Sequence, residues 1–123
     1  MSEDTRMKRN IIAVVDDLFF ASKIRGTAEQ LGVSVSFPRT TEALIETALR
    51  DRPQLVICDL HCRNIDPITL VSTLKADERL KEIRLIGFFS HVQVELQRAA
   101  EQAGFDQVMP RSAFTKQLAD LLK

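Results

Sequence analysis

Apolar residues along the chain fall into two alternating kinds of segment. Asn10–Val15 carries Ile11, Ile12, Ala13, Val14 and Val15 without a break; Leu55–Cys58 and Leu85–Phe89 are similar short runs. Runs of this length read as strands covered on both faces, the habit of a parallel sheet. Val33–Phe37 alternates Val, Ser, Val, Ser, Phe, the period-2 pattern of a half-exposed strand, which places it at a sheet edge. Phe105–Met109 is a weaker fifth strand. Between the runs the period changes to that of a helix. Phe20, Ile24, Ala28 and Leu31 share one face, and Gly32 stops that helix. Ala43, Leu44, Ala48 and Leu49 mark a second, capped by Thr40 or Thr41 and followed by Pro53. Ile68, Leu70, Val71 and Leu74 mark a third, with Asp66 as cap and Pro67 in its first turn. Ser90 is expected to cap a fourth, with Val92, Leu96, Ala99 and Ala103 inward and Gly104 at its end. Ser112 is expected to cap a fifth, with Phe114, Leu118, Leu121 and Leu122 inward.

Five strands alternating with five helices predict an α/β fold, a (βα)5 doubly wound parallel sheet. The pattern leaves the strand order open; the flavodoxin-like order 2-1-3-4-5 is the common solution for this count, and it puts a topological switch point between the first and third strands. Residues 1–9 read as a polar lead-in and residues 10–123 as one domain.

Composition narrows the function. The 123 residues hold 17 Lys+Arg and 17 Asp+Glu, and a net charge of zero argues against a module that grips nucleic acid by bulk electrostatics. No apolar run approaches the ~20 residues of a membrane span, and no signal peptide is recognisable at the N-terminus. Two cysteines cannot build a disulfide framework, so a reducing cytoplasm is the expected setting.

The acids change the picture more. Asp16 and Asp17 directly follow the first strand, and Asp59 directly follows the apolar run of the third. In a parallel sheet of that order, all three stand together at the carboxyl edge beside the switch point, where ligands bind. Their mutual repulsion calls for a cation, and a donor set made only of oxygen favours Mg²⁺. The bland alternative is a set of solvated loop acids with no ligand. A flavin or dinucleotide is disfavoured, because the loop after the first strand, Asp16-Asp17-Leu18-Phe19-Phe20, has two negative charges and no glycine. Ser90 and Arg111 add a hydroxyl and a cation to the same edge, from the ends of the fourth and fifth strands.

Together, Val14-Val15-Asp16-Asp17, Val56-Ile57-Cys58-Asp59-Leu60, Asp66, Ser90 and Ala103-Gly104-Phe105-Asp106 resemble the receiver domain of two-component response regulators. The resemblance extends from Ile11 to Leu122. It implies that Asp59 is the phosphoacceptor and that Asp16, Asp17, Asp59 and the backbone carbonyl of His61 hold Mg²⁺. It also implies that Ser90 is the switch hydroxyl and that Arg111 meets the phosphoryl group. The implied protein is a stand-alone cytoplasmic receiver, not an enzyme beyond Mg²⁺-dependent self-phosphorylation and autodephosphorylation. Its partners would be a sensor histidine kinase or phosphotransfer protein and a downstream protein, with no direct nucleic-acid or membrane binding. The contact face would be the fourth helix, fifth strand and fifth helix.

Four features of the sequence depart from the family pattern. Arg111-Ser112, preceded by Pro110, stands where receivers carry Lys-Pro; Val108 replaces an inward-swinging aromatic; His91 replaces a small residue after the switch hydroxyl; and Arg63 and Pro67 replace the usual Pro and Gly after the phosphoacceptor. These departures keep a second reading open, a phosphorylation-independent pseudo-receiver that works as an interaction module. A small Mg²⁺-dependent phosphatase is set aside, because Leu60 and His61 follow Asp59 where a second acid would be needed. Cys58, His61 and Cys62 suggest zinc on paper, but Cys58 should face the core. Cys62 could be a reactive thiol, His61 and His91 could shield an acyl phosphate or sense pH, and Val94 should lie off the core face of its helix.

Overall fold

The computed structural model describes residues 9–123; apart from Arg9, the polar lead-in lies outside them. The chain alternates strand and helix throughout: β1 (Asn10–Val14), α1 (Leu18–Leu31), β2 (Ser34–Ser36), α2 (Thr41–Asp51), β3 (Leu55–Asp59), α3 (Pro67–Ala76), β4 (Arg84–Phe89), α4 (Val94–Ala103), β5 (Gln107–Pro110) and α5 (Arg111–Leu122). The strands form one parallel sheet in the order β2-β1-β3-β4-β5, which is the predicted flavodoxin-like arrangement.

The unbroken apolar runs follow from burial on both faces. Alternate side chains of each central strand enter different cores. Ile12, Val14, Val56, Cys58, Leu85 and Phe89 pack under α2, α3 and α4, with Leu44, Leu70, Leu74 and Ala100. Ile11, Leu55, Ile57, Ile86, Phe88 and Met109 pack under α1 and α5, with Phe20, Ile24, Phe114 and Leu118. Phe88 and Phe89 thus point to opposite faces, as period 2 requires. Beneath α1 and α5 the rings of Phe88 and Phe114 stack with centroids 4.6 Å apart, and Phe20 lies 5.1 Å from Phe88. β2, at the edge, stays partly exposed.

Local chemistry sets most element ends. Gly32 closes α1 at φ 70°, in the left-handed region, and its N–H donates to Ala28 and Glu29 carbonyls. Thr40, not Thr41, caps α2 by accepting from the Ala43 N–H at 3.0 Å. Asp66 caps α3 by accepting from the Ile68 N–H at 3.2 Å, with Pro67 directly after it.

Two caps differ from expectation. Ser90 does not cap α4, which begins at Val94 after Gln93 and has no side-chain cap. Residues 90–93 instead form an exposed loop, and Val92 is 82% exposed rather than core. The face that packs is Leu96, Ala100 and Ala103; it follows the same helical spacing one step along, with Ala100 in place of Ala99. Ser112 does not cap α5. Pro110, at φ −64°, ends β5 and leads straight into a helix whose first residue is Arg111.

Candidate functional site

The register of the sheet assembles the site. Val14 of β1 lies beside Cys58 of β3, so the residues that follow each, Asp16-Asp17 and Asp59, emerge together at the carboxyl edge. Asp59 pairs across to Phe88 of β4, and Phe89 pairs to Pro110 of β5. Ser90 and Arg111 therefore leave the sheet at the same edge.

Each acid has a distinct engagement. Asp59, the only buried polar or charged residue among those described, keeps 7% of its surface exposed. Its Oδ1 accepts from the His61 N–H at 2.9 Å. Burial is the largest influence on this carboxyl and raises its pKa, with Asp16 adding to the rise, while the His61 N–H and Arg111 oppose it. Asp17 is half-buried and serves α1: its Oδ1 accepts from the Phe19 and Phe20 N–H groups at 2.9 and 3.2 Å. Its Oδ2 accepts from Arg111 Nη2 at 3.2 Å. The Phe20 N–H and the guanidinium hold the Asp17 pKa below the ordinary carboxylate value. Asp16 is exposed, and its Oδ2 accepts from the Arg63 N–H at 3.0 Å, tying the loop after β3 to the loop after β1.

The cation sits differently from a residue aimed at Asp59. Arg111 pairs with Asp17, and its Cζ lies 4.0 Å from the centroid of the Phe20 ring. This is a cation–π contact on top of an ion pair. Ser90 follows β4 directly and is exposed. His61 and His91, from the loops after β3 and β4, meet edge to face at 5.7 Å, and His61 Nε2 is buried without a hydrogen-bond partner. His91 is exposed, and His61 is partly covered.

The donors that a divalent metal would use are hard oxygens, which suits Mg²⁺ chemically. Their arrangement does not present a ready-made site. Among the described residues no three His, Cys, Asp or Glu side chains are grouped to hold a metal ion, and both Asp17 oxygens are engaged by the α1 cap and Arg111. The zinc idea fails as expected, since Cys58 is fully buried in the core. Burial raises the thiol pKa of both Cys58 and Cys62, so Cys62 is not an activated thiolate.

The sequence reading missed two contributors. Phe20 was assigned only to the core, yet its ring face also seats Arg111. The Arg63 main chain binds Asp16. A periodicity analysis carries no signal for either, because both contacts depend on how loops from distant segments meet.

No protein-family model and no curated protein matches the sequence. Solved structures do match in shape. The chemotaxis response regulator CheY4 of Vibrio cholerae superposes with a TM-score of 0.79 at 14% identity, covering 94% of this chain and 97% of that one. The signal receiver domain of a DNA-binding response regulator from Colwellia psychrerythraea gives 0.77 at 15% identity, covering 93% and 98%. A response regulator from Burkholderia pseudomallei, solved with a phosphorylated aspartic acid, a calcium ion and citrate, gives 0.77 at 17% identity, covering 94% of this chain and 67% of that one. The chain thus has the fold of response regulator receiver domains. None of its described helices is long and apolar enough to cross a membrane.

Proposed function

We propose that residues 10–123 work as a receiver that accepts a phosphoryl group on Asp59 and signals through protein–protein contacts. The observation that carries this reading is Asp59 itself. It is a nearly buried carboxylate at the switch point, with Oδ1 fixed by the His61 N–H and two further acids on the adjacent strand end.

The chemistry follows from that placement. Oδ2 of Asp59 attacks the phosphorus of a phosphohistidine or a small phosphodonor. The P–N or P–O bond of the donor breaks, and its electron pair leaves with the imidazole or acid, which takes up a proton from solvent if it needs one. The product is a mixed anhydride with about two negative charges at neutral pH. Ser90 is the hydroxyl available to the new oxygens, and Arg111 is the nearby cation. Divalent-cation dependence, with Mg²⁺ as the ion, belongs to the same reading; its donors would be Asp16, Asp17, Asp59 and the His61 carbonyl. The donor protein would be a histidine kinase or phosphotransfer protein, the compartment the cytoplasm, and the output a downstream protein meeting α4, β5 and α5. The module would perform no reaction beyond gaining and losing its own phosphoryl group.

One arrangement favours the alternative, a pseudo-receiver that signals without phosphorylation. Asp17 is already neutralised by Arg111, and Val108 cannot swing as an aromatic would. The two readings separate when the protein is treated with acetyl phosphate, with and without Mg²⁺, and its intact mass is measured beside that of Asp59→Asn. A Mg²⁺-dependent gain of one phosphoryl mass, lost in the variant, supports the receiver. No gain at millimolar donor concentrations, with the fold intact, leaves the pseudo-receiver.

A further inference from the structure

We infer that the cavity between α1 and the loops after β1, β2 and β3 binds a small carboxylic acid with a flat apolar body, its carboxylate held by Arg25 and Arg39. The inference goes beyond the reading above and uses neither Asp59 nor a phosphoryl group.

The cavity has a volume of about 520 Å³, within the ~300–1,000 Å³ of sites that enclose small molecules. Its place follows from the topology. The loops that wall it leave β1, β2 and β3 at their carboxyl ends, and the strand order reverses between β1 and β3. Crevices at such a switch point are where open α/β sheets take ligands. Asp59, Ser90 and Arg111 do not line it. Segments distant in sequence build it. Leu18, Ala21, Ser22 and Arg25 recur at helical spacing and so share one face of α1. Phe37 and Arg39 follow β2, and Pro38 fixes the backbone between them. Asn64 comes from the loop after β3, which the bond from the Arg63 N–H to Asp16 ties to the loop after β1 at 3.0 Å.

The lining divides into an apolar wall and two cations. Val15, Ala21, Phe37 and Pro38 supply the wall. The Arg25 guanidinium carbon lies 4.6 Å from the Phe37 ring centroid, a cation–π seat that leaves its N–H donors unspent. Arg50, Arg79 and Arg111 each pair with an aspartate, but among the described residues no carboxylate lies within ion-pair distance of Arg25 or Arg39. Two planar donor forks are therefore open beside an apolar wall, and a carboxylate matches such a fork two bonds at a time. Asp16, on the same lining, sets the charge of the ligand. Two guanidiniums against one carboxylate leave a single positive charge in excess. A monoanion balances it, whereas a phosphate dianion would bring one negative charge too many beside Asp16.

The test uses 1-naphthoate as probe and reads its fluorescence anisotropy as the whole chain is titrated in. No phosphodonor or divalent cation is present, so the result does not depend on phosphoryl transfer. The chain has no Trp or Tyr, which leaves the naphthalene signal free of protein background. Circular dichroism confirms that each variant is folded. 1-Naphthoate should bind saturably, and 1-naphthamide, which keeps the shape and loses the charge, about tenfold more weakly. 1-Naphthyl phosphate should bind about threefold more weakly than the carboxylate. Arg25→Ala and Arg39→Ala should each weaken 1-naphthoate about tenfold. Arg25→Lys, which keeps the charge but loses the fork, should weaken it about threefold. Arg98→Ala, on the exposed side of α4, should change nothing. The inference is overturned if 1-naphthoate shows no saturable binding up to about 1 mM protein, or if neither Arg25→Ala nor Arg39→Ala weakens it. It is equally overturned if the amide binds as well as the acid, because the apolar wall alone would then explain binding. Equal weakening in Arg98→Ala would reduce the effect to net charge, and tighter binding of the phosphate would overturn the assigned ligand class.

Discussion

The two halves of the carboxyl edge are built by different means. On the β1 and β3 side each acid is tied down locally: Asp59 by the His61 N–H, Asp17 by the start of α1 and Asp16 by the Arg63 N–H. On the β4 and β5 side there is no such tether for Ser90, and α4 starts four residues later without a side-chain cap. The one firmly held group on that side, Arg111, is turned back toward the acids. The acid half therefore holds its carboxylates in fixed positions. The other half is an exposed loop with His91 and Val92 on its surface, followed by an exposed Val94 at the start of α4 and a half-buried Val108 on β5. Segments with few buried apolar contacts are the cheaper ones to rearrange, and by exposure that description fits the β4–α4 loop better than the acid half.

Substitutions sharpen this contrast in order of size. The largest effect should come from the foundation shared by both halves. Phe88→Ala removes a fully buried ring stacked on Phe114 and under Phe20, and should destabilise by about 3–5 kcal/mol in urea unfolding. Loss of under 1 kcal/mol would mean that the aromatic cluster does not anchor the edge. Next, Asp17→Ala removes a helix cap and an ion pair together and should lower the melting temperature by several degrees, whereas Asp17→Asn, which can still cap, should lower it less. Equal losses would remove the cap from the account.

A smaller effect, opposite in sign, is expected at Asp59. Burial raises its folded-state pKa above its unfolded value, so the folded state binds this proton more tightly. The associated stability is fully present below about pH 4, the unfolded value, and is lost as the pH rises through the folded value. Asp59→Asn should therefore stabilise the protein at pH 7, on the order of 1 kcal/mol, and the advantage should vanish near pH 4. A variant less stable than the parent at pH 7 would contradict this. Asp17 has the reverse sign: its lowered pKa gives stability that is present above its unfolded value and lost as the pH falls through the folded one. The smallest effect belongs to the loop. Ser90→Ala should change stability by less than about 0.5 kcal/mol, since Ser90 caps nothing. A loss of the size that a helix cap gives would restore the expected capping role.

How much of this could be read in the sequence depends on what each feature rests on. Asp16, Asp17 and Asp59 were legible because each sits where an apolar run stops, and parallel strands carry their ends to one edge. Asp66 was legible because cap and Pro67 are adjacent in the chain. The start of α4 was not: Ser90 and Gln93 both stand at plausible starts, and the spacing of Val92, Leu96, Ala99 and Ala103 competes with that of Leu96, Ala100 and Ala103. Packing against α3 and β5 decides between them. The direction of Arg111 was also hidden. Its charge and place at the edge follow from the sequence, but its choice of Asp17 over Asp59 depends on the Phe20 ring, which comes from a helix 91 residues earlier.

The central claim is that Asp59 is the residue that takes the phosphoryl group. Borohydride reduces an acyl phosphate to an alcohol and so converts a phosphorylated aspartate to homoserine. The decisive measurement is peptide mass mapping after acetyl phosphate, Mg²⁺ and borohydride. The account predicts homoserine at position 59 and at neither 16 nor 17. Homoserine at Asp16 or Asp17, or at no position while the protein remains folded, would contradict it.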